Sequence, residues 1–214
     1  SYDIVFGEHL FPQIAEDLAK VRLGSKYAII TDSNVNRLYG AALKSALEPA
    51  GLQADIFSFE AGEQSKNAAV FLGLMKSMRE LNYGRDSAII ALGGGVVGDM
   101  AGLIAAMHLR GIPYIQVPTT TLAQADSSIG GKTAVDTEDA KNSIGAFKQP
   151  AKVYIDVATL VTLKELDIRS YVSGFAEAVK HGIIRDTASF TYFQRNAKLM
   201  LECDPETMLY VAKQ

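Results

Sequence analysis

Two groups of residues in this sequence have types and spacings that could do chemistry. The first is the stretch Ala91-Leu-Gly-Gly-Gly-Val-Val-Gly-Asp99, a bare backbone set between an apolar run and a helix of small and apolar residues. Glycines let main-chain N–H groups approach an anion, and the first turn of the following helix adds its positive dipole end. Gly93, Gly95 and Gly98 fit the dinucleotide fingerprint. That spacing recurs in many unrelated loops, however, and no clear acidic residue ends a following strand about 20 residues on. The second group is Glu177 and His181, four residues apart on one helical face, a pairing that suits a divalent metal. For Glu177 alone, a solvated helix face is the plainer reading.

The elements that must position these groups show in the hydrophobic periodicity. Residues 2–6, 27–31, 54–59, 87–92, 114–117 and 152–156 read as strands, and residues 11–21, 35–47, 68–81 and 96–109 as helices. Such alternation predicts an α/β fold, a parallel sheet covered on both faces, with ligands at the C-terminal ends of its strands. Here those ends are the turns at Asp32, Gly93 and Thr119. Asp32-Ser33-Asn34 and Thr119-Thr120-Thr121 also read as ordinary helix caps. From Leu163 to Val211 only helical periods remain, broken near Asp186 and at Asp204-Pro205. The expected organisation is a Rossmann-like nucleotide-binding domain over residues 1–163 and the start of an all-helical domain over residues 164–214. The helical part is expected to be cut short, because about 50 residues with exposed apolar stripes close poorly on themselves.

Composition narrows the function classes. With 214 residues, 48% of them hydrophobic, and a formal charge of −3, the chain can bury a core but offers no general surface for nucleic acid or anionic membrane. An anionic ligand must therefore meet a local basic cluster. A single cysteine, Cys203, excludes an internal disulfide and reads as an inert helix thiol. His9 and His108 read as structural. No targeting segment shows at the N-terminus. The least charged stretch, residues 100–125, is interrupted by His108, Arg110, Pro113 and Pro118, so no membrane span and a cytoplasmic location are expected.

A further segment, Asp126-Ser-Ser-Ile-Gly-Gly-Lys-Thr-Ala-Val-Asp136, occurs with Gly93-Gly-Gly-Val-Val-Gly-Asp99, Pro118-Thr-Thr120, Lys141-Asn142 and Gly174-Phe-Ala-Glu-Ala-Val-Lys180. Taken in order, from about Asp32 to Ile184, these motifs closely resemble the 3-dehydroquinate synthase family of sugar-phosphate cyclases. The resemblance implies conversion of a seven-carbon sugar-acid phosphate to 3-dehydroquinate and phosphate, in the shikimate route to aromatic amino acids. It implies NAD that is consumed and regenerated, a divalent metal (zinc or cobalt), and a homodimer. In that family a ring alcohol is oxidised, phosphate leaves, the ketone is reduced back and an aldol step closes the carbocycle. A helical metal-binding domain follows the nucleotide-binding one, with the active site between them.

Carried over residue by residue, the resemblance makes Glu177 the carboxylate metal ligand. It makes Lys132, Asn142 and Arg110 the phosphate-binding groups, with Arg110 reaching in from a second subunit, and gives Asp126 and Lys180 the substrate hydroxyls. For NAD it nominates Asp32 and Asn34, Glu63 and Lys66, and Gly94, Gly95 and Asp99. Thr119, Thr120 and Leu122 would line the nicotinamide side, Lys141 would touch the cofactor, and Thr162 and Leu163 would cover the adenine. The family draws its two histidine ligands from beyond Gln214, so His181 reads as a pocket-edge or structural histidine and the chain alone is expected to be inactive. Ser170 stands where an acid often follows arginine. Other readings are a different sugar-phosphate cyclase, a metal-dependent alcohol or glycerol dehydrogenase of the same fold, or a module that only binds NAD.

Overall fold

A computed structural model describes residues 1–214. Eight strands form: β1 (Asp3–Gly7), β2 (Lys26–Asp32), β3 (Gln53–Phe59), β4 (Ala88–Gly93), β5 (Tyr114–Pro118), β6 (Lys132–Val135), β7 (Ile144–Phe147) and β8 (Lys152–Asp156). Six of them make one parallel sheet in the order β1-β8-β5-β4-β2-β3. Successive strand residues point to opposite faces, so each short apolar run serves two cores. Tyr27 and Ile29 enter one, Ala28 and Ile30 the other. The remaining strands, β6 and β7, pair antiparallel as a separate hairpin, with Lys132 opposite Phe147 and Val135 opposite Ile144. The periodicity predicts the six sheet strands and misses this hairpin, because each of its strands has four residues and β7 is largely exposed.

Helices cover both faces of the sheet. On one side lie α1 (Phe11–Val21) and α3 (Ala41–Leu47), which bury Ile14, Leu18, Leu43 and Leu47. The short α2 (Ser33–Val35) and a π-turn over Asn36–Gly40 lead into α3, so the helix expected over 35–47 forms with its early part widened. On the other side, α4 (Ala68–Glu80) and α5 (Gly95–Met107) bury Leu74, Met78, Met100 and Ile104. The chain thus leaves β2 towards one face and β4 towards the other. Diverging connections open a crevice beyond the strand tips, here between Asp32 and Gly93.

After β8 come α6 (Ala158–Leu166), α7 (Ile168–Ser173), α8 (Phe175–Arg185), α9 (Thr187–Glu202) and α10 (Pro205–Ala212). Asp167, Asp186 and Asp204 divide α7, α9 and α10 from what precedes them, because each carboxylate accepts N–H groups of the helix that follows. These helices pack through Leu160, Tyr171, Phe175, Phe193 and Met208 onto Val153 and Ile155 of β8, forming a third core. α6 runs through Leu163 and Lys164, so the helical segment grows directly out of the α/β layer. No helix is long and apolar enough to cross a membrane.

A buried carboxylate secures this junction. Asp156, at the end of β8, accepts from the His9 N–H (3.0 Å) and the Ala158 N–H (3.1 Å) through Oδ1, and from the Leu10 N–H (2.8 Å) through Oδ2. Asp156→Ala is expected to orphan all three donors and to cost about 3 kcal/mol of unfolding free energy in urea titrations. A loss below ~1 kcal/mol would show that the donors find other partners.

Candidate active site

The glycine loop has the features of an anion cradle. Gly94 stands at the N-terminus of α5, where no side chain caps the helix and no acid occupies the first turn. By contrast, Asn67 caps α4 and Asp204 caps α10. The first-turn N–H groups of α5 are therefore left for an external acceptor. Thr120 packs so closely that a Cβ on Gly94 would lie 3.0 Å from its Cγ2. Beside this loop, the segment from Thr119 to Ser128 holds five buried oxygens with no partner: the hydroxyls of Thr119, Thr121, Ser127 and Ser128 and the Gln124 carbonyl. Buried polar atoms are almost always paired, so this concentration fits a polar ligand.

The neighbouring strand tip combines two readings. Asp32 Oδ1 accepts from the N–H groups of Asn34 and Val35, both at 2.9 Å, which makes it a true helix cap. Only one of its oxygens is used in this way. Tyr39, just beyond, donates to the Thr159 carbonyl (3.4 Å) and contacts the Thr162 hydroxyl, and so places Thr162 and Leu163 beside the segment that follows β2. Thr120 is likewise a cap, its Oγ1 accepting from the Ala123 N–H at 3.2 Å.

Three segments far apart in sequence meet at Lys66. Its buried ammonium donates to Asp99 Oδ2 (2.6 Å) and Asn142 Oδ1 (2.5 Å). Burial pushes the Asp99 carboxyl up, and the Lys66 charge partly opposes that shift. Next to this centre Lys141 pairs with Glu63 at 3.3 Å. Asp136, which sequence reasoning did not select, organises the loop: its Oδ1 accepts from the Asn142 N–H (2.7 Å), and its own N–H donates to the Lys66 carbonyl (2.8 Å). Asn142 is thereby held in the left-handed region at φ 54°. A lone aspartate two residues before a glutamate and an aspartate gave no signal of this role.

A cleft of about 1420 Å³ lies between the hairpin, the turn after β5 and α8, with Asp99, Asp126, Lys132, Asn142 and His181 among its walls. α8 comes close because Gly174 lacks a side chain: a Cβ there would fall 2.4 Å from the Leu122 nitrogen. On α8, Glu177 contacts Lys180 and lies 3.3 Å from His181 Nε2. The Lys180 ammonium, chiefly, holds the Glu177 carboxyl below its usual range, and His181 adds to the effect. Arg110 is not brought to the cleft. It follows α5, whose 13 residues put it roughly 20 Å from the glycine loop. His108 is buried with Nε2 2.9 Å from the Tyr83 carbonyl, and Cys203 is a buried thiol whose pKa burial raises. Ser170 donates its N–H and its hydroxyl to Asp167, which caps that helix.

Comparison with known proteins bears on this arrangement. The 3-dehydroquinate synthase of Syntrophotalea carbinolica is 43% identical over 213 residues, covering 100% of this chain and 58% of that protein. That of Caulobacter vibrioides is 43% identical over 211 residues, 98% of this chain and 56% of that one. The chain thus spans well under two thirds of the length of these curated relatives. Among solved structures, 2-epi-5-epi-valiolone synthase from Streptomyces hygroscopicus, with NAD+ and Zn2+ bound, matches with a TM-score of 0.88 and 28% identity over 100% of this chain and 58% of that one. A 2-deoxy-scyllo-inosose synthase complexed with carbaglucose-6-phosphate, NAD+ and Co2+ matches with a TM-score of 0.79 and 26% identity, over 97% and 61%. An iron-containing alcohol dehydrogenase shares the fold, with a TM-score of 0.78 and 16% identity over 99% and 64%. Residues 56–170 match the family model described as 3-dehydroquinate synthase N-terminal. That match takes in the glycine loop, the threonine turn and the hairpin, more than half of the chain, and the chain belongs to the 3-dehydroquinate synthase family.

Proposed function

We propose that this chain forms the NAD-binding part, and the beginning of the metal-binding part, of a 3-dehydroquinate synthase. The reaction converts a seven-carbon sugar-acid phosphate to 3-dehydroquinate and phosphate. The observation that carries this reading is the uncapped, glycine-headed α5 tied through Lys66 to Asn142, in one cleft with Asp126 and Lys132. When bound, NAD supplies a reversible hydride acceptor and the divalent metal, zinc or cobalt, supplies Lewis acidity.

The chain's own residues divide the remaining work. First-turn N–H groups of α5, reached past Gly94 and Gly95, bind the cofactor pyrophosphate. Asp32 and Asn34 take nucleotide hydroxyls, while Thr162 and Leu163 flank the adenine. Thr119, Thr120 and Leu122 border the nicotinamide, where the unpartnered Thr119 hydroxyl finds a polar atom. Glu63, Lys66, Asp99 and Lys141 close the cofactor's other side. Lys132 and Asn142 bind the substrate phosphate, Asp126 and Lys180 orient its hydroxyls, and Glu177 holds the metal. Arg110, a helix length from its own cleft, serves the site of a second copy in a cytoplasmic homodimer.

Two tests address the reaction and one addresses the buried pair. The whole-length protein is expected to release phosphate from the sugar-acid phosphate with catalytic NAD and no net NADH, whereas accumulating NADH would point to a dehydrogenase. Lys132→Met should raise KM for that substrate tens- to hundredfold, the scale of a charge-assisted contact of about 2–3 kcal/mol. An unchanged KM would remove Lys132 from phosphate binding. Because burial raises the Asp99 pKa, the folded state holds that proton more tightly than the unfolded chain, and ionising Asp99 costs stability as pH rises through its folded value. Lys66 offsets this cost. Lys66→Met should therefore lose about 3 kcal/mol at neutral pH. The loss should shrink as pH falls through the Asp99 pKa, and equal losses in neutral and acid urea titrations would refute the coupling.

A further inference from the structure

We propose that Asp136 and Lys66 are positioning residues for phosphate recognition: Asp136 fixes the main chain of Asn142, Lys66 fixes the sense of its amide, and together they present Nδ2 to the cleft as a donor. The inference rests on the reading of Asn142 as a group that holds the substrate phosphate, and it says what makes that contact selective for an anion.

An asparagine side chain can offer a phosphate either a donor or an acceptor, and only the donor binds. Half a turn about its last bond exchanges the two, so an unrestrained asparagine is a poor anion ligand. Lys66 removes the choice. An ammonium group has hydrogens to donate and nothing to accept with, so only the carbonyl oxygen of Asn142 can face it, at 2.5 Å, while Asp99 Oδ2 takes another hydrogen at 2.6 Å. Nδ2 is thereby turned from the buried cation, on a cleft wall that Lys132 shares.

The main chain is held from the other side. Asn142 sits at φ 54°, a left-handed conformation that side-chain-bearing residues seldom adopt, and its N–H donates to Asp136 Oδ1 at 2.7 Å. Asp136 is itself joined to Lys66, its N–H donating to the Lys66 carbonyl at 2.8 Å. One residue therefore ties both ends of the loop, with its carbonyl at Asp136 and its ammonium at Asn142. The charge of Asp136 is the wrong one for a phosphate pocket. Burial foremost, with the Asp136 charge among the lesser causes, raises the Asp99 carboxyl, so that negative charge is felt at the cleft wall. The hydrogen bond that Asp136 accepts, and not its charge, accounts for its place beside Asn142.

The test measures the substrate KM and the inhibition constant of inorganic phosphate in the whole-length protein at saturating NAD and metal. Asn142→Gly, unstrained at a positive φ, should raise both about 10- to 100-fold, the scale of one charge-assisted hydrogen bond. Asp136→Ala should raise both roughly 3- to 10-fold by lowering the fraction of molecules with the loop set, and should spare kcat and NAD affinity. A role through charge predicts the opposite sign. Asp136→Asn, which keeps an acceptor and drops the charge, should bind phosphate at least as well as wild type. Asp136→Ala and Lys66→Met should each add less than about twofold in the Asn142→Gly background, where nothing is left to position. Asn142→Asp, whose carboxylate still meets Lys66 but has no hydrogen to give, should match or exceed the Asn142→Gly defect, and this arm does not depend on how Asp136→Ala folds. Wild-type or lower constants in Asp136→Ala, loss in Asp136→Asn, effects that multiply in either double variant, or wild-type constants in Asn142→Asp overturn the inference while Asn142 keeps its role. Asn142→Gly with wild-type constants overturns both.

Discussion

A buried ammonium ion must be surrounded by oxygen, and Lys66 meets that demand by drawing Asp99 of α5 and Asn142 of the hairpin loop onto itself. Breaking such a pair would leave a charge stranded in low dielectric, so the three segments are held in one arrangement. The rest of the cleft follows from that arrangement. Asp136 turns Asn142 towards the ammonium, the hairpin packs on α5, Lys132 joins the cleft wall and Lys141 pairs with Glu63. Asp99 gives up some of its acidity to sit there, and its partner limits the loss.

The other half of the cleft is controlled by contact rather than by charge. Without a side chain at Gly174, α8 settles on the backbone of Thr121 and Leu122, and Tyr171 and Phe175 fill the core behind it. This seat brings Glu177 and His181 to the turn after β5 and makes α8 one wall of the cleft. Electrostatic pairing on one wall and backbone contact on the other therefore meet around a single space, and the glycine-headed helix borders both.

Much of this was legible in the residues. Alternating or short continuous apolar runs marked six strands, and helical stripes such as Ile14 with Leu18, or Leu74 with Met78, marked the layers. The glycine loop was legible as a bare backbone leading into a helix, and α5 does start there without a side-chain cap. The hairpin escaped because four-residue strands with a lysine and a glycine carry too little periodicity, although Asn142 and Lys141 depend on it. Asp136 escaped because its function is to hold main-chain groups, and nothing in a single sequence says where those groups will lie. His181 was legible as a partner of Glu177 by spacing, but its distance from Asp126 arises only from the docking of α8 on a turn some 50 residues earlier.

The sheet also has an edge whose only neighbour comes late. β1 pairs with β8 alone, and the His9 N–H meets the Asp156 carboxylate across a sequence separation of 147 residues. Contacts that span so much chain are slow to form. During synthesis on a ribosome the opening strand must wait, unpaired, until the last sheet strand has emerged, so the assembly of this sheet is ordered by translation: its centre can form first and its first-made edge is sewn on last.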